Sequence, residues 1–132
     1  MIKPHIISFL LCVGLLLGPT FYKNGWADEP TREKIANLPE WARSVFTGPT
    51  FSDDFIISSR LNPYFLQGDF NGDCVVDIAV LIRRRSDGFQ GIGILHGGDT
   101  NPIILGAGNA VGKGGDDFAW LGAWSIPQGS SR

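Results

Sequence analysis

From Phe51 onward the apolar residues fall in short runs separated by glycine, asparagine, aspartate and serine. That is the pattern of antiparallel strands joined by tight turns. It predicts strands at 54–58, 64–68, 77–84, 90–96 and 102–105, with a further candidate at 121–126. Asp77-Ile78-Ala79-Val80-Leu81-Ile82 is apolar at every position after the aspartate, so it belongs in a strand covered on both faces, at the centre of the sheet. Ser86-Asp87-Gly88-Phe89 follows as a hairpin turn, with Gly88 free to take positive φ. In Gly91-Ile92-Gly93-Ile94-Leu95-His96 both glycines face one side, leaving room for another element to come close.

Ahead of the strands the period changes. Residues 30–46 read as an interrupted helical segment: Pro30 suits a first turn, Ile35 and Leu38 are spaced by three, and Pro39 restarts the count. Trp41, Val45 and Phe46 then share a helical face, and Gly48-Pro49 ends it. The expected fold is mainly β within the α+β class. It is an antiparallel β-meander of four or five strands with short N-terminal helices over one face. After Leu105 the chain is glycine-rich through Gly115 and reaches Asp116-Asp117-Phe118-Ala119-Trp120, which reads as a surface loop leading into an edge strand.

Residues 1–27 have the three regions of a secretory signal peptide. Lys3 and His5 precede a 13-residue apolar run, Ile6 to Gly18, and Gly25-Trp26-Ala27 supplies small residues for cleavage before Asp28. The run is shorter than the 18 or so residues that span a bilayer, so no stable membrane span is expected after cleavage. Export to the periplasm or the extracellular space follows as the expectation. Residues 28–132 are then a single small β-rich domain of 105 residues, enough for one core. Loss of Lys3 and Lys23 takes the basic count from 11 to 9 against 13 acids, a net charge of −4, which gives no general attraction to nucleic acid. Cys12 leaves with the leader, so Cys74 has no internal disulfide partner and is expected to be buried.

The chemistry is concentrated in Asp69-Phe70-Asn71-Gly72-Asp73-Cys74-Val75-Val76-Asp77. Oxygen-bearing side chains stand at positions 1, 3, 5 and 9 of one short loop. Alternate positions of a tight turn can aim Asp69, Asn71 and Asp73 at one centre, with the Val75 carbonyl and Asp77 closing the other side. Calcium is the cation that suits this set, since it takes six to eight oxygens with loose geometry whereas zinc prefers nitrogen and sulfur. The loop is not an EF-hand, because its twelfth position is Val80 rather than a bidentate glutamate.

Gly68 to Val80 resembles the calcium-loop segment of FG-GAP or VCBS-type repeats, whose usual form is G-D-F-N-G-D-G-x-x-D-[IL]-[AV]-V. The resemblance implies a loop between two strands of a propeller blade, with calcium held by Asp69, Asn71, Asp73, the Val75 carbonyl and Asp77. Cys74 stands where that pattern has glycine, and the motif occurs once. Since a propeller needs about four to eight blades, the expectation is one blade-like sheet. A left-handed conformation at Cys74 would cost roughly 1–2 kcal/mol, about tenfold in calcium affinity.

Other chemistries find less in the sequence. His96 is the only histidine after residue 27, there is no G-x-S-x-G, and the glycine-rich stretch lacks the Lys-Ser or Lys-Thr ending of a phosphate loop. Arg83 and Arg85 share a strand face with Arg84 opposite, so they form no single patch. Two functional classes remain. One is an exported non-catalytic module, its calcium loop stabilising a protein- or glycan-interaction surface, with a loop that no longer binds metal as its variant. The other is an exported hydrolase using Asp116, Asp117 and His96. A subsidiary expectation has Asp116 or Asp117 swing over to complete the cation shell.

Overall fold

The computed structural model describes residues 32–127, and the expected signal peptide lies outside them. Three short helices come first: α1 (Arg32–Ile35), α2 (Glu40–Thr47) and α3 (Pro49–Ser52). Five strands follow, β1 (Phe55–Ile57), β2 (Phe65–Gly68), β3 (Asp77–Arg84), β4 (Gln90–Leu95) and β5 (Ile103–Gly106), then single 3-10 turns at Gly112–Gly114 and Phe118–Trp120. The strands make one antiparallel sheet, as the alternation of short apolar runs with turn residues requires. β3, β4 and β5 are successive neighbours, while β1 and β2 lie end to end along the other edge of β3, pairing with residues 82–84 and 77–80. Leu81 spans the gap between them: its amide donates to the Tyr64 carbonyl and its own carbonyl accepts from Ser58.

β3 is the central strand, and residues 77–83 of it are all buried. Its even-numbered side chains, Ile78, Val80 and Ile82, join Leu38, Ala42, Phe46, Phe51, Ile57 and Leu95 in the core. Phe46 and Phe51 meet edge to face with centroids 5.1 Å apart, a preferred aromatic geometry. Gly93 lets this happen, since a Cβ there would stand 3.1 Å from the Phe46 ring. Gly91 on the same face lies still closer to the end of β5, with a virtual Cβ only 2.4 Å from the Leu105 carbonyl oxygen.

Four local expectations are corrected. Trp41 is 38% exposed, and the buried stripe of the helical segment is Leu38, Ala42 and Phe46. Spacing by four keeps those three on one side, while Trp41 sits one residue, about 100°, off the stripe. Pro49 does not end the helical region but opens α3, where its fixed φ suits a first helical turn. Residues 121–127 form no strand, because the turn at Phe118–Trp120 redirects the chain away from the sheet edge. Cys74 is exposed rather than buried, because it lies in a loop whose residues 69–76 all stand at the surface. Among the described residues no helix is long and apolar enough to cross a membrane.

Candidate functional site

The 69–77 loop connects β2 to β3 and is built from side chains that fold back on the main chain. Asp69 Oδ1 accepts from the Gly72 and Asp73 amides at 2.6 and 3.1 Å, and Oδ2 from the Cys74 amide at 2.8 Å. Asn71 Oδ1 accepts from the Asp73 amide at 3.1 Å, and Asp73 Oδ1 from the Val75 amide at 2.8 Å. Aspartate and asparagine form such local turns readily because their short side chains reach an amide two residues on. Gly72 and Cys74 both take positive φ, 81° and 65°. The cysteine therefore adopts the left-handed conformation that the resemblance would place at a glycine.

Asp77 anchors the loop from below. It is the first residue of β3 and fully buried. Its Oδ2 accepts from the Phe70 amide at 2.7 Å and its Oδ1 from the Gly97 amide at 2.9 Å. His96 Nδ1 stands 3.1 Å from Oδ2. Burial by itself pushes the Asp77 carboxyl up, but the Gly97 and Phe70 amides and the neighbouring His96 outweigh it and hold the group below the usual carboxylate range. One side chain thus ties together the loop and the start of the β4–β5 connection. The aspartate at position nine was legible in the sequence. Its partners were not, because nothing in the spacing joins residue 77 to residue 97.

All five candidate donors, Asp69, Asn71, Asp73, Val75 and Asp77, lie in this one turn. The set is entirely oxygen, the chemistry a hard cation takes. Among the described residues no three histidine, cysteine, aspartate or glutamate side chains are placed to hold a metal ion. The carboxylates are distributed instead: Asp69 and Asp73 are exposed on the outer side and Asp77 is turned inward.

The structure does not bring His96, Asp116 and Asp117 together. Asp117 Oδ1 accepts from the Gln90 amide at 2.9 Å and from the Ala119 amide at 3.1 Å, which fixes it at the start of β4. His96 follows the far end of that strand, about 20 Å away at 3.4 Å per residue. Asp117 caps the turn at Phe118–Trp120 and takes no part in the loop. The arginines are likewise dispersed. Arg83 is buried, Arg84 pairs with Asp87, and Arg85 donates to the Ser52 carbonyl at 2.7 Å. An open cavity of about 440 Å³ lies between the helices and β5, lined by Val45, Phe51, Phe55, Pro102 and Ile104 among others, with no titratable side chain in its wall. The chain matches no family model, no curated protein and no solved structure.

Proposed function

We propose that this chain is an exported, non-catalytic interaction module whose 69–77 loop binds calcium and thereby stabilises a surface for a protein or glycan partner. The observation that carries the reading is the loop itself. Asp69, Asn71 and Asp73 are fixed by amide hydrogen bonds in one turn, the donor set is all oxygen, and Cys74 already holds the left-handed conformation the turn demands. Asp69, Asn71, Asp73, the Val75 carbonyl and Asp77 would hold the ion, which would supply charge neutralisation and rigidity rather than chemistry. Because the carboxylates are not already gathered at one point, binding includes a local closing of the loop. With the strain at Cys74 taken as about tenfold, affinity weaker than the extracellular range of about 0.1–1 mM is the consequence. The non-catalytic part draws on the wide separation of Asp117 from His96 and on the engagement of His96 with Asp77.

The test is the thermal midpoint of the purified protein in millimolar calcium, in millimolar magnesium and in chelator, beside Asp73→Ala. A ligand that binds only the folded state stabilises it by mass action. The expected result is a rise of several degrees with calcium that magnesium does not reproduce and the variant abolishes. A midpoint indifferent to calcium at every concentration would overturn the reading and leave a turn held by its own hydrogen bonds, the alternative that the separated carboxylates favour.

A further inference from the structure

β5 is an edge strand, paired with β4 alone. The phase of that pairing is set by the Ala107 amide, which donates to the Gln90 carbonyl at 2.7 Å. Gly91 and Gly106 are then opposite each other without mutual bonds, and Ile92–Leu105 and Ile94–Ile103 are the bonded pairs. The main-chain groups of Ile104 and Gly106 therefore point away from β4. At Gly106 both are taken by Asn109, at 3.0 and 2.8 Å. At the other end Pro102 has no N–H to offer. Closing the ends of an exposed strand guards it against indiscriminate pairing. One station is left open: the N–H and C=O of Ile104 are bonded to no described residue. The same residue lines the cavity of about 440 Å³ with Val45, Phe51, Phe55 and Pro102, because it lies opposite Gly93 on the helix-facing side of the sheet. That volume falls within the roughly 300–1,000 Å³ of ligand sites, and no titratable side chain lines it.

We propose that β5 and this cavity together receive an extended, uncharged apolar peptide segment of a partner protein, added to the sheet as one more strand. This rests on the non-catalytic interaction reading above and names its partner class. A partner residue that exchanges both bonds with Ile104 in an antiparallel pair has its side chain on the same face of the sheet as Ile104. That is the face on which the cavity opens, so the one open main-chain station and the one apolar recess select the same partner residue. Its two neighbours fall on the opposite face, beside Leu105 and beside Ile103, which is 48% exposed. Strand addition of this kind takes affinity from the main chain and specificity from pockets for alternate side chains. Other occupants satisfy only half of the site. A free apolar molecule would fill the cavity and leave the Ile104 groups unbonded. A glycan would bond them but set its hydroxyls against Phe51, Phe55 and Ile104. An acidic or basic ligand would meet no counter-charge in the wall.

The experiment titrates the isotopically labelled full chain with the blocked peptides acetyl-Thr-Val-Xaa-Val-Thr-amide, in which Xaa is Phe, Leu, Ala or Glu. The backbone amide resonances are followed. The expected result is saturable binding of the Phe and Leu peptides with movement of the Ile104 amide, affinity lower by about tenfold or more for Ala, and none for Glu. Methylating the nitrogen of Xaa removes the donor to the Ile104 carbonyl and keeps the side chain, so binding should be lost. Thr50→Trp, at an exposed position of the cavity wall, should weaken binding by narrowing the recess. Should that variant fail to fold, the peptide series carries the decision. No binding of any peptide at millimolar concentration overturns the proposal. Binding indifferent to Xaa and to its methylation overturns it as well, as does binding that leaves the Ile104 amide unmoved. Sedimentation of the chain alone is run alongside, and a dimer whose formation shifts the Ile104 amide would put a second copy at this edge in place of the peptide. Each titration is made in calcium and in chelator. Peptide binding equal in both would keep this surface and remove the calcium loop's part in it, and a calcium-stabilised fold that binds no peptide would do the reverse.

Discussion

Cys74 holds φ at 65° with a side chain that points to solvent, so its identity costs backbone strain and returns no packing. A non-glycine residue in that region costs about 1–2 kcal/mol, and glycine gives back roughly 0.4–1 of it through a more flexible unfolded chain. Cys74→Gly is therefore expected to stabilise the protein by about 0.5–1 kcal/mol, read as a higher urea midpoint at unchanged slope. Cys74→Val, with a branched Cβ in the same conformation, should lower it. Asp87 makes a different kind of prediction. Hydrogen bonds from Arg84 draw its carboxyl down, burial pushes back, and the Phe89 amide adds to the lowering, so the folded value lies below the ordinary one. A depressed carboxyl stabilises above its unfolded pKa of about 3.9 and loses that contribution as pH falls through the folded value. The thermal midpoint of Asp87→Asn should thus trail that of the parent from about pH 5 to 8, and the gap should close below about pH 4. A gap that widened in acid would contradict the assignment.

In β4 the two core-facing glycines answer to different neighbours, and the difference is measurable. A Cβ at Gly93 meets the edge of the Phe46 ring at 3.1 Å, a side chain able to yield. One at Gly91 meets the Leu105 carbonyl oxygen at 2.4 Å and the Ala107 amide nitrogen at 2.7 Å, main-chain atoms that cannot yield without parting the strands. Gly93→Ala is expected to cost about 1 kcal/mol and Gly91→Ala about 3, the span of overpacking in a filled core, both from urea denaturation. Equal costs would mean that the β4–β5 junction is looser than its geometry. These elements were also the legible ones. The apolar run of 78–82 announced a doubly covered strand, the paired glycines announced close approach, and the D-x-N-x-D spacing announced a tight turn, though not the amide hydrogen bonds that hold it. What stayed hidden depends on contacts distant in sequence. Trp41 is outside the core because of where Leu38 and Ala42 dock, 121–127 is not a strand because the turn at Phe118–Trp120 diverts it, and the anchoring of Asp77 needs the Gly97 amide from another connection. Local pattern sets the face and period of an element, but it does not say which neighbour will occupy that face.

Across the molecule the sheet lies between two unequal covers. The helices bury the even-numbered residues of β3 in a continuous apolar core. The odd-numbered side, Ala79, Leu81 and Arg83, is buried as well. On the C-terminal side the chain is tied on by few bonds: Trp124 donates to the Pro63 carbonyl at 2.6 Å, Arg60 reaches the Phe118 carbonyl at 3.5 Å, and Ile126 rests over Gly68. Loops without dense apolar contact open locally, whereas a central strand opens only when its partners leave. Every route to exposing the Leu81 amide passes through Tyr64, Ser58 and the β4 ladder. Native-state hydrogen exchange should therefore find the β3 amides opening with the full denaturant dependence of global unfolding. The Leu121 amide, bonded only to Phe118 across one turn, should open with little such dependence. The 69–77 loop stands between these limits, since Asp77 joins it to β3 while Asp69 and Asp73 face solvent. If β3 exchanged as readily as Leu121, the sheet would not be the cooperative unit, and stabilising its loop end could not stabilise the whole.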